Sequence, residues 1–203
     1  MNIIILWFVR IAFASLACFE LANLFGILHF ELEFSWFGLA LTSIVVWIAL
    51  EFVLWYCKKK FNYTIPSFVF LFPLGNVLID AFGDIFKWYG RFSWYDQMAH
   101  FLGGASVAGL IFFILCAVLK RRRVEFKKYL IGSYAFFAAC FLGVLYEIEE
   151  YSESFFLSNN RLGDRFDTPN DLLMNTCGAL IGVLLVYLYV KMTDTLSKTE
   201  ERK

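Results

Sequence analysis

The stretch that decides the fold is residues 95–119, which read YDQMAHFLGGASVAGLIFFILCAVL. A helix needs about 20 mainly apolar residues to cross the hydrocarbon of a bilayer, and this stretch is longer than that. Its only ionisable side chains apart from Tyr95 and Cys116 are Asp96 and His100, both in the first two turns. Residues 95–119 therefore predict a membrane-spanning helix that carries its polar groups at one end.

Five further stretches have the same apolar character, at residues 3–28, 35–57, 65–88, 129–151 and 172–190. The composition agrees, because 60% of the chain is hydrophobic and only 18% is charged. Soluble domains are about 45–50% apolar and about 25% charged. We therefore predict an all-α fold, a polytopic membrane bundle of six transmembrane helices, with residues 1–203 as one integral membrane domain.

Charge and cysteine content exclude other classes of protein. The formal net charge is zero, so no basic face predicts nucleic-acid binding. The five cysteines show no CxxC spacing, and all lie in or at the end of apolar stretches. We interpret them as small apolar residues within helices rather than as a disulfide or thiolate framework.

Lysine and arginine residues predict the orientation, because cytoplasmic loops carry an excess of them. With six spans, thirteen of the 18 basic residues fall on one side of the membrane and four on the other. The thirteen are Lys58, Lys59, Lys60, Lys120, Arg121, Arg122, Arg123, Lys127, Lys128, Lys191, Lys198, Arg202 and Lys203; the four are Lys87, Arg91, Arg161 and Arg165. We expect a multi-pass plasma (inner) membrane protein with both termini in the cytoplasm, a cytoplasmic tail at 191–203 and an extracytoplasmic loop at 152–170.

Polar residues recur in pairs near the outer ends of four spans. The pairs, spaced i,i+4 or i,i+3, are Asp80/Asp84, Asp96/His100, Glu147/Glu150 and Asp171/Asn175. Such spacing puts both members on one helix face. Because burying an unpaired charge in hydrocarbon costs at least about 2.5–3.5 kcal/mol, these faces should turn inward and converge in one outer-leaflet pocket. Carboxylates, an imidazole and an amide suit Mg²⁺, Mn²⁺, Ca²⁺ or Zn²⁺, so all eight are candidate ligands of a divalent metal cation.

Other interpretations stay open for this set. Acidic residues at helix ends also mark the membrane–water interface, and Asp96 and Asp171 could cap their helices. Protonation of some carboxyl groups, or Arg161 and Arg165 from the loop, could replace a cation in relieving repulsion. On the other face of the fifth span, Glu149 and Glu153 are expected to meet water.

The polar pattern resembles the VanZ-like membrane proteins over residues 95–182. The matching blocks are Asp96-Gln-Met-Ala-His100-Phe, then Glu147-Ile-Glu-Glu150, then Arg165, Asp171, Asn175, Gly178 and Gly182. The family shows D-x-x-x-H-F, E-x-x-Q and R-x(5)-D-x-x-x-N/D-x-x-G-x-x-x-G, so Glu150 stands where Gln is usual and adds a negative charge. The six-helix layout with Asp80 and Asp84 is closer to the related YjdF-type inner-membrane proteins. The resemblance implies a role in the cell envelope, with glycopeptide tolerance in the name-giving member, but no established reaction.

Two functional hypotheses follow. The first is an enzyme acting on a membrane lipid or lipid-linked phosphate headgroup, in which a cation activates water, His100 and Glu150 are the catalytic groups, and Arg161 and Arg165 bind the phosphate. The second is a non-enzymatic protein that carries an ion, a proton or a lipid headgroup, or that holds a structural cation. Six helices are few for a carrier, so that role would favour a homodimer.

Overall fold

A computed structural model describes residues 2–157 and 161–200, with side chains through Met192. Within those residues the regular secondary structure is entirely helical. The helices are α1 (Ile3–Leu24), α2 (Trp36–Phe61), a 3₁₀ turn (Ser67–Phe70) that leads into α3 (Leu71–Ile85), the short α4 (Trp88–Arg91), α5 (Tyr95–Arg121), α6 (Lys128–Leu157) and α7 (Asp167–Glu200).

Six of these segments are long and apolar enough to cross a membrane. They are α1, α2, the combined Ser67–Ile85 segment, α5, α6 and the Asp167–Met192 part of α7. The predicted all-α bundle with six spans is therefore confirmed.

The first half of the chain packs around large apolar side chains. Phe13 of α1 and Phe70 of the 3₁₀ turn are 0% and 1% exposed, and Leu50 and Leu74 complete the same core. The Phe13 ring stacks on Trp47 of α2 with 6.3 Å between the centroids. This apolar core holds α1, α2 and α3 together, and two polar contacts, Ser43 with Glu20 and Arg10 with Glu51, cross between α1 and α2 beside it.

In the second half, close backbone approach adds to the apolar packing around Phe112 and Ile131. A Cβ added at Gly178 of α7 would overlap the carbonyl oxygen of Phe101, and one added at Gly182 would overlap that of Ala105. Only glycine leaves room for α5 and α7 to lie this close. The Gly178-x-x-x-Gly182 spacing thus brings together the two helices that begin with Asp96/His100 and Asp171/Asn175.

The connection between α6 and α7 is shorter than the predicted loop at 152–170. Helix α6 continues to Leu157, and α7 already begins at Asp167. Two features extend the helices: Glu153 is drawn inward against Gly38, and Pro169 occupies the first turn of α7, where a missing N–H is tolerated. Residues 158–160 of this connection lie outside the described part of the chain.

The predicted tail at 191–203 also differs, because α7 runs through it as far as Glu200. Residues 201–203 lie outside the described residues.

Candidate functional site

The site is built where the N-terminal parts of α5 and α7 touch. Gly104 lies one turn after His100, and a Cβ there would overlap the backbone of Asn175. This contact places the Asn175 amide nitrogen Nδ2 3.1 Å from His100 Nδ1. The imidazole is 6% exposed, so its surroundings are protein rather than lipid or water.

Three carboxylates face the same imidazole. Asp96 Oδ1 and Asp171 Oδ1 lie 3.5 and 3.9 Å from His100 Nε2. Glu147 Oε1 lies 3.5 Å from Nδ1. All three separations exceed the usual 2.7–3.2 Å of an N–H···O hydrogen bond. We refer to Asp96, His100, Glu147, Asp171 and Asn175 as the His100 centre.

The His100 centre has more carboxylate acceptor oxygens than the imidazole has N–H groups to bond them. An imidazole has at most two N–H groups, and Asn175 already lies against Nδ1. Among the residues that the structure describes, no donor bonds to either carboxylate oxygen of Glu147 or to Oδ1 of Asp171, although these residues are only 5% and 1% exposed. A buried polar group without a partner costs about 1–3 kcal/mol, and more if it is charged. These oxygens therefore point to a missing positive charge or donor.

The spacing of the oxygens and nitrogens suits a metal ion. One ligand atom from each of Asp96, His100 and Asp171 lies within 4.8 Å of the others, and the same holds for His100, Glu147 and Glu150. Carboxylate oxygens with one imidazole nitrogen are ligands for Mg²⁺, Mn²⁺, Ca²⁺ or Zn²⁺. Asn175 adds an amide next to both groups.

A second buried network surrounds Arg161, which reaches in from the α6–α7 connection. Its Nε donates to Glu150 Oε1 at 3.1 Å, and its Nη2 donates to the Tyr146 hydroxyl at 2.8 Å and to Asp80 Oδ1 at 3.4 Å. The Tyr89 hydroxyl donates to the same Asp80 oxygen at 2.8 Å. We call Arg161, Asp80, Tyr89, Tyr146 and Glu150 the Arg161 network.

Two aromatic rings lie against the Arg161 guanidinium. The guanidinium carbon lies 4.9 Å from the Phe34 ring centroid and 6.0 Å from that of Tyr89. Burial acts to lower the pKa of Arg161, but Tyr146, Asp80 and Glu150 hold it well above its ordinary value, so the guanidinium stays charged. Burial, and next Asp80, raise the pKa of Tyr89, so its hydroxyl stays a donor.

Asp84 lies apart from both clusters. Its Oδ1 accepts hydrogen bonds from the backbone N–H groups of Glu33 and Phe34, at 2.7 and 2.8 Å. These donors precede α2 and need an acceptor, and Asp84 is 0% exposed. It therefore fixes the α1–α2 connection and, through Phe34, one wall around Arg161.

The two loop arginines have different surroundings. Arg161 is buried, whereas Arg165 is exposed and lies over its neighbour Phe166, with 4.5 Å from the guanidinium carbon to the ring centroid. Asp80 belongs to the Arg161 network. Glu150 contacts Arg161 and is also one of the three possible metal ligands His100, Glu147 and Glu150. The eight candidate ligands are thus divided between two centres and one loop anchor.

The expectation that Glu153 meets water is wrong. Glu153 is 4% exposed, lies 3.9 Å from Arg161 Nε through Oε2, and packs where Gly38 leaves space on α2. Tyr146 was not among the candidate residues either. The i, i+4, i+7 spacing of Tyr146, Glu150 and Glu153 on α6 is the sequence signal that could have found both.

Two carboxylates outside the His100 centre have side-chain partners on a neighbouring helix. Glu51 of α2 accepts from Arg10 of α1 at 2.6 and 2.7 Å, and Glu20 accepts from the Ser43 hydroxyl at 3.0 Å. The Arg10–Glu51 pair provides a reference for a carboxylate whose cation comes from the chain itself.

The chain belongs to the family described as predicted membrane protein (DUF2238), whose model matches residues 5–192. No curated protein and no solved structure matches the chain. The family and the six apolar helices both support a multi-pass membrane protein. The resemblance to VanZ-like and YjdF-type proteins is compatible with this family and stays a prediction.

Proposed function

We propose that this member of the membrane-protein family binds a divalent cation at the His100 centre. The proposal depends on three buried oxygens, Oε1 and Oε2 of Glu147 and Oδ1 of Asp171, which have no hydrogen-bond partner among the described residues. Both side chains face one imidazole. A cation would supply the charge that these oxygens lack, and its removal would leave carboxylates repelling one another.

The ligand chemistry defines the class of cation. Asp96, Glu147 and Asp171 supply carboxylate oxygens, Asn175 supplies an amide and His100 supplies one nitrogen. This oxygen-rich set favours Mg²⁺, Mn²⁺, Ca²⁺ or Zn²⁺ over copper, which prefers softer or nitrogen-rich sites. The imidazole makes Mn²⁺ and Zn²⁺ the first ions to test.

A bound cation fits these surroundings better than a conducted one. Large apolar side chains such as Phe13, Leu50 and Phe70 form a continuous buried core in the α1–α3 half. Two carboxylates lie on α1 and α2 among the described residues, and both are engaged: Glu51 by Arg10 and Glu20 by the Ser43 hydroxyl. We therefore favour a one-sided centre, and the thirteen-to-four distribution of basic residues supports an extracytoplasmic position for it.

Action on a lipid or lipid-linked phosphate would require a further step. The Arg161 guanidinium is engaged by Glu150, Tyr146 and Asp80, and His100 is 6% exposed. A phosphate would have to displace these contacts before Arg161 could bind it. Binding of the cation is accordingly the proposed function, and phosphate chemistry at His100 and Glu150 remains dependent on it.

The test is the metal content of the purified protein. We expect about one equivalent of a divalent metal in the parent protein after a Mn²⁺ or Zn²⁺ load and removal of excess. The variants His100→Ala and Glu147→Gln should lose most of it, because each removes a ligand.

Glu51→Gln is the control, since it removes a half-buried carboxylate outside the His100 centre that already has Arg10 as its partner. It should keep the metal content of the parent. Equal metal content in Glu147→Gln and Glu51→Gln would contradict the proposal, as would a well-folded parent protein that takes up no metal.

A further inference from the structure

Glu150 lies at the boundary between the two buried clusters. Its Oε1 accepts from Arg161 Nε at 3.1 Å, and a carboxylate oxygen of the same residue lies within 4.8 Å of ligand atoms from His100 and Glu147. The side chain is 5% exposed, so its charge cannot be satisfied by bulk water. Glu150 can therefore complete either the Arg161 network or a cation shell.

Arg161 is a tethered cation. It lies in the short connection between α6 and α7, the two helices that carry Glu147 and Asp171. Its neighbours hold it in place: Asp80 of α3, Tyr146 of α6 and the Phe34 ring. A tethered group acts at a high effective concentration, so it competes strongly with a free ion for the same carboxylate.

We propose that Glu150 is a latent ligand of the cation centre, and that Arg161 competes with the cation for it. This inference rests on the proposed function. While Arg161 is bound to Glu150, the cation is held by the His100 centre alone. When the cation binds Glu150 as well, repulsion between the two positive charges weakens the contacts of Arg161, and Arg161 leaves its buried position.

Competition of this kind has a reciprocal consequence. If Arg161 lowers the affinity for the cation, the cation must lower the stability of the inserted Arg161 by the same factor. Each direction has its own measurement, and each can be made on the full-length protein.

The first measurement is a Mn²⁺ titration of chelator-stripped protein in detergent. Arg161→Gln should bind Mn²⁺ at least about tenfold more tightly than the parent, because Glu150 becomes available. Arg165→Gln, in the same connection but exposed, should leave the affinity unchanged. Arg161→Lys retains a positive charge and should fall between them, whereas Glu150→Gln combined with Arg161→Gln should remove the gain.

The second measurement uses the unmodified protein, so it does not depend on the folding of any variant. Trypsin must bind an arginine side chain, and Arg161 is buried while Arg165 is exposed. Adding Mn²⁺ should increase cleavage after Arg161 relative to cleavage after Arg165, which serves as an internal control for the protease.

The outcomes separate this inference from the proposed function. Parent protein that binds Mn²⁺, with an unchanged affinity in folded Arg161→Gln or an unchanged cleavage ratio, would overturn the competition and leave the cation centre standing. Absence of Mn²⁺ binding in both proteins would overturn the proposed function and this inference with it. Binding in Arg161→Gln but not in the parent would support the competition and contradict the parent's proposed loading.

Discussion

His100, in the His100 centre, and Arg161, in the Arg161 network, each lie within 4 Å of three carboxylates. Arg161 faces Asp80, Glu150 and Glu153, and makes hydrogen bonds of 3.1 to 3.4 Å to the first two. His100 faces its three carboxylates at 3.5 to 3.9 Å. The two clusters thus differ in how well the positive group matches its acidic partners.

The difference follows from the number of donors. A guanidinium has five N–H groups in a planar fork, whereas an imidazole has at most two. The positive charge of the Arg161 network comes from the α6–α7 connection of the chain itself. In the described part of the chain, both oxygens of Glu147 and Oδ1 of Asp171 stay without a hydrogen-bond partner. The two acidic clusters therefore differ in the source of their positive charge: Arg161 supplies it in one, and in the other the proposed function assigns it to a bound cation.

The largest expected effect is on the Arg161 network. Arg161→Ala should lower the free energy of unfolding by about 3–5 kcal/mol, because it leaves buried carboxylates without their cation. Arg165→Ala should change it by less than about 0.5 kcal/mol, as expected for an exposed residue. Denaturation in detergent measures the free energy of unfolding of both variants. Equal losses in the two variants would contradict the structural role of Arg161.

The contact of α5 with α7 supports the His100 centre more than the Arg161 network. Gly104→Ala would push its Cβ into the Asn175 backbone, and overpacking of this kind costs about 1–3 kcal/mol. The displaced α7 should also weaken Mn²⁺ binding. Gly103→Ala is the control, since nothing lies within 4 Å of its Cβ position. Identical stability and Mn²⁺ affinity in the two variants would show that close packing does not hold the centre together.

Two neutralising substitutions on α6 should have opposite signs. In chelator, Glu147→Gln should raise the free energy of unfolding by about 1 kcal/mol, because it removes a buried charge and adds donors toward nearby carboxylates. Glu150→Gln should lower it by about 1–3 kcal/mol, because Arg161 loses a charged acceptor. With Mn²⁺ at about 100 times its dissociation constant, the parent should gain about 2.7 kcal/mol and Glu147→Gln should gain little. If both substitutions changed the free energy of unfolding in the same direction in chelator, the difference between the two clusters would be contradicted.

The smallest expected effect is at Tyr89. Tyr89→Phe removes the hydrogen bond to Asp80 and should cost about 1 kcal/mol at neutral pH. Because the pKa of Tyr89 is raised on folding, its contribution is complete below the pKa of an unfolded tyrosine, about 10, and declines as the pH rises above it. The cost of the substitution should therefore shrink between pH 9 and pH 11, as followed by denaturation. A cost that stays constant would contradict this role.

Much of the architecture was predictable from local sequence. Apolar length determines the six spans, and i,i+4 spacing with the cost of burial explains why Asp96 and His100 share an inward face near Asp171. The ligand roles of these residues stay predictions.

The remaining features depend on tertiary contacts that local spacing does not describe. Asp84 turned to the backbone of the α1–α2 connection because two N–H groups there needed an acceptor. Glu153 turned inward because Gly38 leaves space on another helix. Arg161 and Arg165 lie four residues apart in the same connection, and only the packing of Phe34 and Tyr146 determines which one enters.

The most direct test of the cation centre is anomalous diffraction from crystals of the Mn²⁺-loaded protein. If the His100 centre binds the cation, an anomalous peak should lie among His100, Glu147 and Asp171, at about 2.0–2.6 Å from carboxylate oxygens. A peak confined to exposed carboxylates such as Glu31, or loaded crystals with no peak at the His100 centre, would contradict it.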